Sequence, residues 1–281
     1  MQPERRDVTH NGTVISYLVF AGAEPAIVIL HGLAGSGHEF VPTARALAGR
    51  KVVLIDQRGH GRSTRLPGDT SRAAFVDDVV RVIEAERLGP VDLVGQSMGG
   101  HTAMLVAAAR PDLVRTLVLL ESAEGSGSAA ETAAMGDFFR SWKIPFASRS
   151  DAQSALGDSP LARAWVADLE ECDDGYRPRF DPDVMVDTIS HVAIPRWDEW
   201  KSVTAPTLVL YADRGMFSSE QKARFVEHRP GVLRGDLVDA SHDAHLDAFD
   251  QWIDALTHFV SHSVPTNAAP GDQPNPRSSP L

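Results

Sequence analysis

Five short apolar runs recur along this chain: AIVIL (26–30), KVVLID (51–56), VDLVG (91–95), TLVLL (116–120) and TLVLY (207–211). They are rich in β-branched residues, continuous rather than alternating, and bounded by glycine or polar residues. A strand covered on both faces has this pattern, because neither side of its pleat meets water. Helical stretches lie between the runs. TSRAAFVDDVVRVIEAERLG sets Phe75, Val79, Val82 and Ile83 on one face and is expected to end at Gly89. GGHTAMLVAAARP is small and apolar and stops before Pro111. This alternation predicts an α/β fold with a mostly parallel, doubly wound sheet. At the front, Asn11-Gly12 before TVISYLVF predicts an opening hairpin.

The alternation stops between residues 122 and 203. ETAAMGDFFRSWKI, SPLARAWVADLEE and DPDVMVDTISHV read as helices with no strand between them. An insertion at this point lies over the carboxyl ends of the strands, where α/β sheets bind ligands. The expected division is a core of residues 1–121 and 204–261, a helical cap of 122–203, and a disordered Pro-, Ser- and Asn-rich tail, 262–281. The cap is rich in large aromatic residues, most of which fill its own core. Trp142, Trp197 and Phe139 are expected to face the sheet edge and line an apolar substrate pocket.

The formal net charge of -11 argues against nucleic acid or an anionic membrane surface as a partner. No run approaches the roughly 18 apolar residues of a membrane span. MQPERRDVTHNG lacks the apolar centre of a signal peptide. The single cysteine, Cys172, rules out an intrachain disulfide and fits a reducing cytoplasm. A small-molecule substrate is the expected partner, and a homodimer is compatible with this composition.

LVGQSMGG places Gly95-Gln96-Ser97-Met98-Gly99 between a strand and a helix. A serine at such a turn is held strained, with its hydroxyl above the sheet and beside the helix N-terminus. Small residues on either side let strand and helix pack around it. Ser97 is therefore the candidate nucleophile. ILHGLAGSG follows an earlier strand, and His31-Gly32 lets the chain turn there. The N–H groups of Leu33 and Met98 can then form an oxyanion hole. The segment lacks the Lys-Ser/Thr pair of a phosphate loop and the context of a dinucleotide fingerprint.

DASHDAHLDAFDQW carries two histidines after a strand-like run. His242 directly follows that run, so it is the candidate base. His245 lies further along and should turn away around a helix. A metal site from His242, His245 and Asp247 would need further ligands that the sequence does not supply, so no metal is expected.

HGLAGSG, IDQRGHGRS, GQSMGG and DASHDAHLD together resemble the α/β-hydrolase superfamily from about residue 8 to residue 260. The resemblance implies a Ser–acid–His triad, a variable helical lid and no cofactor. It implies that Arg58, Gly59 and Gly61 hold a structural turn. Relatives commonly place the acid in the loop after the TLVLY strand, three residues past a glycine. Ala212 takes the glycine position here, Gly215 stands where the acid would be, and Asp213 comes too early. In haloalkane dehalogenases and zearalenone lactone hydrolases the acid instead ends the strand that follows the nucleophile. That position is Glu121 in TLVLLES. Glu121 is the favoured acid and Asp213 the alternative. The implied activity is hydrolysis of a small to medium hydrophobic carboxylic ester or lactone through an acyl-enzyme. Similar scaffolds also serve as cofactor-free haloperoxidases or perhydrolases, as ring-cleaving dioxygenases, and as small-molecule receptors.

Overall fold

A computed structural model describes residues 2–263. The chain opens with β1 (Glu4–His10) and β2 (Thr13–Phe20), paired antiparallel with His10 opposite Thr13. Asn11 and Gly12 both have positive φ, which the two-residue turn between these strands requires. Then follow β3 (Ala23–Leu30), α1 (Val41–Ala46), β4 (Arg50–Ile55), α2 (Arg72–Ala85), β5 (Val91–Gln96), α3 (Met98–Ala109) and β6 (Val114–Leu120). The predicted face of α2 holds: Phe75, Val79, Val82 and Ile83 are all buried. The helix stops short of Gly89, however. The chain leaves it at Glu86 and turns through Arg87, whose φ is 54°.

After β6 come α4 (Ala129–Arg140), α5 (Arg149–Leu156), α6 (Pro160–Asp168), β7 (Glu170–Cys172), β8 (Gly175–Arg177), α7 (Pro182–Val192) and α8 (Trp197–Ser202). The expectation of helices alone here is incorrect. β7 and β8 form a small antiparallel sheet, and Phe146 bridges to Tyr176 beside it. These strands are too short to show a two-residue period. Phe139, Trp142, Phe146, Ala152, Val166, Phe180 and Met185 pack into a separate cluster that reaches Ala34 and Leu33. The cap thus has its own core, seated on the loop after β3.

Helix α8 belongs elsewhere. Trp200 is fully buried in the sheet's core, stacked on Phe225 at 4.1 Å, and Trp197 packs beside it. The last part of the expected 122–203 cap therefore lies in a core layer. The chain closes with β9 (Thr207–Arg214), α9 (Ser219–Glu227), β10 (Leu233–Ser241), α10 (Ala244–Asp247) and α11 (Phe249–His262). The expected tail begins one residue inside α11, and residues 264–281 lie outside the described part of the chain.

Eight strands form one sheet in the order β1-β2-β4-β3-β5-β6-β9-β10. β2 pairs antiparallel with β4, and every pair from β4 to β10 is parallel. Both faces are covered. α2, α3 and α8 help bury Val28, Leu93, Leu119 and Val209 on one side. α1 and α11 help bury Ile29, Val94, Val118 and Leu210 on the other. The turns after β3, β5, β6 and β10 then open at one edge, beneath the cap.

Candidate active site

Ser97 sits between β5 and α3 with φ 53° and ψ -121°, a conformation rare for a residue with a side chain. The neighbouring glycines explain how it is held. A Cβ on Gly95 would fall within 3.0 Å of the Gly99 backbone, and one on Gly99 within 3.0 Å of the Leu30 and His31 carbonyls. Only glycine lets α3 start so close to β5 and β3. The Ser97 N–H donates to Leu120 O (2.9 Å) and its carbonyl accepts from His101 N (3.1 Å) and Ser122 Oγ (2.9 Å).

His242 follows β10 directly and is held by Gln96 Nε2, which donates to its carbonyl at 3.1 Å. Its Nε2 lies 2.9 Å from Ser97 Oγ, and its Nδ1 lies 3.1 Å from Glu121 Oε2. A carboxylate can only accept, so Nδ1 carries the proton and Nε2 accepts from the serine hydroxyl. Glu121 stands just past β6, fully buried, with φ 47°. Ala212 N donates to its Oε1 at 2.8 Å and Met216 N to its Oε2 at 2.9 Å. Burial alone would raise the Glu121 pKa. The bonds from His242, Ala212 and Met216 outweigh burial and hold the group below its ordinary value.

Asp213 is not part of this chain of bonds. Its carboxylate is exposed and accepts from Asp239 N (2.9 Å) and Ala240 N (3.0 Å), which stitches β9 to the bulge in β10. Those amides also hold its pKa down. His245 turns away from Ser97. It is buried, stacked on Phe40 at 4.3 Å, and 3.6 Å from Glu39. Burial pushes its pKa down to about 4. Asp247 accepts from Ser241 N rather than joining the histidines. Among the described residues, no group of three or more His, Cys, Asp or Glu side chains is arranged to hold a metal ion.

Gly32 lies against Gln96 and Ser97, so the Leu33 segment borders Ser97. His31 holds that turn. Its Nδ1 donates to Gly32 O at 2.7 Å and its Nε2 accepts from Gln57 N at 3.0 Å. Burial keeps His31 uncharged, with its pKa near about 4. Met98 begins α3, so its N–H has no acceptor within the helix.

A pocket of about 110 Å3 opens at Ser97, lined by Met98, His101, Ile189, Val192, Met216 and Phe217, with Glu121 and His242 at one side. The expected aromatic residues do not line it. Trp142 and Phe139 point into the cap's own cluster. Trp197 packs on His228 at 4.2 Å and on Arg224, in the core layer. The rings are buried because they are large, and burial in a neighbouring core satisfies them as well as a ligand would. What the sequence reading missed comes mainly from α7 and α3. DPDVMVDTISHV is amphipathic, and its Ile189 and Val192 are the positions that face Ser97. His101 lies four residues after Ser97 on α3, one turn along the same face, and that spacing could have found it. His101 is buried beside the Glu124 backbone, and neither ring nitrogen makes a well-aligned hydrogen bond among the described residues. Burial, then the nearby Arg72 and Arg196, push its pKa well down, so the ring is neutral.

Comparisons with known proteins agree with this architecture. The family model described as alpha/beta hydrolase fold matches residues 25–249. The chain is 31% identical over 254 residues to the sn-1-specific diacylglycerol lipase ABHD11 of Mus musculus, covering 84% of this chain and 81% of that protein. It is 27% identical to esterase YbfF of Escherichia coli (strain K12), over 84% of this chain and 92% of the relative. In fold it is similar to E-2-(acetamidomethylene)succinate hydrolase, with a TM-score of 0.85, 22% identity, and coverage of 92% of this chain and 100% of that one. No described helix is long and apolar enough to cross a membrane. Its sheet, its turns and these matches together make the chain an enzyme of the α/β-hydrolase family.

Proposed function

We propose that this enzyme is a serine hydrolase that cleaves a small to medium carboxylic ester or lactone through an acyl-enzyme. One observation carries the reading: a continuous line of hydrogen bonds runs from Ser97 Oγ through His242 to Glu121. In this reading Ser97 Oγ attacks the carbonyl carbon as its proton passes to His242 Nε2. Glu121 holds the imidazole in the required tautomer and balances the imidazolium that forms. The carbonyl oxygen takes up negative charge facing the N–H groups of Leu33 and Met98. The C–O bond to the leaving alcohol then breaks as His242 returns the proton to that oxygen. A water, deprotonated by His242, attacks the acyl-enzyme and frees the carboxylic acid and Ser97.

The pocket supports a limit on size. About 110 Å3, bounded by Ile189, Val192 and Phe217, suits a short acyl group and leaves a longer alcohol to extend past the exposed Met216. The neutral, buried His101 lines the pocket and favours a substrate with a polar group one turn from the scissile carbonyl. The names lipase and esterase among the relatives agree with ester chemistry. The test is a panel of p-nitrophenyl esters from acetate to decanoate, with lactones and matched amides, together with fluorophosphonate labelling. We expect turnover to favour short acyl esters and the label to map to Ser97. Amide turnover exceeding that of every ester, or labelling that persists in Ser97→Ala, would overturn the reading.

A further inference from the structure

The sheet ends at β10, which pairs with β9 on one side and with no strand on the other among the described residues. An open edge offers a row of backbone donors and acceptors to a further strand. Both ends of this edge are closed. Gln251, on α11, accepts from Val238 N and donates to Val238 O, both at 2.9 Å. Val232 N, at the other end, donates to Arg229 O at 3.3 Å. Outward-pointing backbone groups recur at every second residue of a strand. Those of Arg234 and Asp236 therefore point the way those of Val238 do, and no such bond closes them among the described residues.

The residues between those closures mirror one another. Val232-Leu233-Arg234-Gly235-Asp236-Leu237-Val238 is symmetric about Gly235, with opposite charges at the mirrored positions 234 and 236. Two identical strands paired antiparallel about a twofold axis at Gly235 set each Arg234 opposite the partner's Asp236. These are the residues whose outward groups remain, so they form the hydrogen-bonded pairs, and each pair exchanges two N–H···O bonds. Gly235 meets the partner's Gly235 in the non-bonded position between them, where Cα atoms approach to about 4.5 Å. No side chain stands there to hold them apart. The neighbouring registers that keep the outward groups paired set Arg234 against the partner's Arg234, or Asp236 against the partner's Asp236. Like charges directly opposite are unfavourable, so charge selects the register centred on Gly235.

The side chains fit the same arrangement. Arg234 and Asp236 stand on the Tyr211 face of the sheet, with the Arg234 guanidinium 5.7 Å from the Tyr211 ring centroid and 2.8 Å from Asp236 Oδ1. Both remain partly exposed, so each can reach a second partner across the joint. Leu233 and Val238 are exposed apolar residues at this edge, 58% and 61% accessible. Pairing brings Leu233 beside the partner's Leu237 and Val238 beside the partner's Val232, which covers apolar surface on both faces of the joint.

We infer that the partner of this edge is a second copy of this chain, the two β10 strands joining antiparallel about a twofold axis at Gly235 so that the two eight-stranded sheets run on as one. The same patch serves both copies, so the assembly closes at the dimer. Gln251 marks the end of the joint on each side, because it already holds both backbone groups of Val238. One strand's bonds and side chains make a small interface, and the dissociation constant is expected at about 1–100 μM. Nothing in this pairing depends on the chemistry at Ser97.

The experiment is sedimentation velocity on the full-length chain over a concentration series from about 1 to about 300 μM. Three variants accompany it, each checked for folding by circular dichroism: Arg234→Asp, Asp236→Arg, and the double variant that exchanges the two charges. The wild type should pass from monomer to dimer across the series. Each single variant sets like charges opposite one another and should dimerise at least about tenfold more weakly. The double variant restores opposite charges and should dimerise as the wild type does. An equimolar mixture of the two single variants should recover dimer as well, because two acidic positions in one copy then face two basic ones in the other. Several results overturn the pairing: a wild type that stays monomeric throughout, single variants that dimerise as strongly as the wild type, a double variant or mixture that stays monomeric, or assemblies that grow past the dimer.

Discussion

A Cβ at position 215 would fall within 3.0 Å of both carboxylate oxygens of Glu121. Gly215 sits in the loop after β9, and Glu121 reaches into that loop from the end of β6. The Glu121 carboxylate fills the space that a residue 215 side chain would take. The N–H groups of Ala212, near the end of β9, and of Met216, in the loop, close on it. Gly215→Ala is therefore expected to push the carboxylate off His242. The check is kcat against melting temperature: we expect at least about a hundredfold loss in kcat, with the fold retained.

The two carboxylates considered from sequence should separate cleanly. Glu121→Gln keeps the volume but cannot balance an imidazolium, and should lower kcat by about 10³–10⁴. Asp213→Asn should keep near-normal kcat and cost some stability, because its carboxylate holds the β10 bulge through Asp239 N and Ala240 N. Steady-state kinetics on both, alongside chemical denaturation, decides it. Near-normal activity in Glu121→Gln would remove Glu121 from the triad.

The two histidines should differ in kind. His242→Ala should lose several orders of magnitude in kcat with an intact fold. His245→Ala removes a ring stacked on Phe40 inside the core, so it should lower the melting temperature while kcat per folded molecule stays within about tenfold.

Glu39 gives a pH signature. Burial, then the charge of Asp168, push its pKa from 4.5 up to about 8. Between those values the folded protein holds a proton that the unfolded chain has lost, so stability falls as pH rises through this window. Buried His245 acts in the opposite sense. With its pKa down from 6.5 to about 4, stability is lost as pH falls through that lower range. Buried His31 and His101 act in the same sense as His245, so the histidines oppose Glu39 below 6.5, and the decline due to Glu39 is left from there to about 8. Glu39→Gln should abolish that decline. Thermal melts at pH 6.5 and 8 should separate the variant from wild type by more than ~2–4 °C, the shift that 1 kcal/mol gives a chain of this size. Parallel melting curves at both pH values would contradict the assignment.

Selectivity should follow the α7 residues rather than the tryptophans. Val192→Trp should cut turnover of longer acyl chains more than of acetate, and Phe217→Ala should do the reverse. Trp142→Phe should leave relative rates unchanged while lowering stability, because its ring contacts Phe139, Phe146 and Phe180. A competition assay across the ester panel reads all three.

The sheet was legible because buried parallel strands write themselves as continuous apolar runs, and the elbow because its glycines are fixed by contact distances. The β7–β8 hairpin was not, since three-residue strands carry no period. The placement of α8 was not legible either. WDEWKS looks like any cap helix until Trp200 is seen stacked on Phe225, a contact made across the sequence. The pocket lining was the least legible part. Large rings attract attention in a sequence, yet Phe217 is the one large ring beside Ser97, among aliphatic residues, two methionines and a histidine. Nothing local distinguishes Ile189 and Val192 from core positions, whereas the four-residue spacing from Ser97 marks His101.

The cap leaves the core and returns to it at nearly one point, where Arg196 N donates to Glu124 O at 2.8 Å. Everything between those two residues is topologically a closed loop on a fixed platform. Such a loop can be exchanged as a cassette. A foreign helical segment, or a short linker, grafted between Glu124 and Arg196 would need to span only that one hydrogen bond, leaving strand register and the Ser97–His242–Glu121 spacing untouched. The chain is thus built as a fixed sheet with an interchangeable cover, and the cover can change without the sheet having to refold.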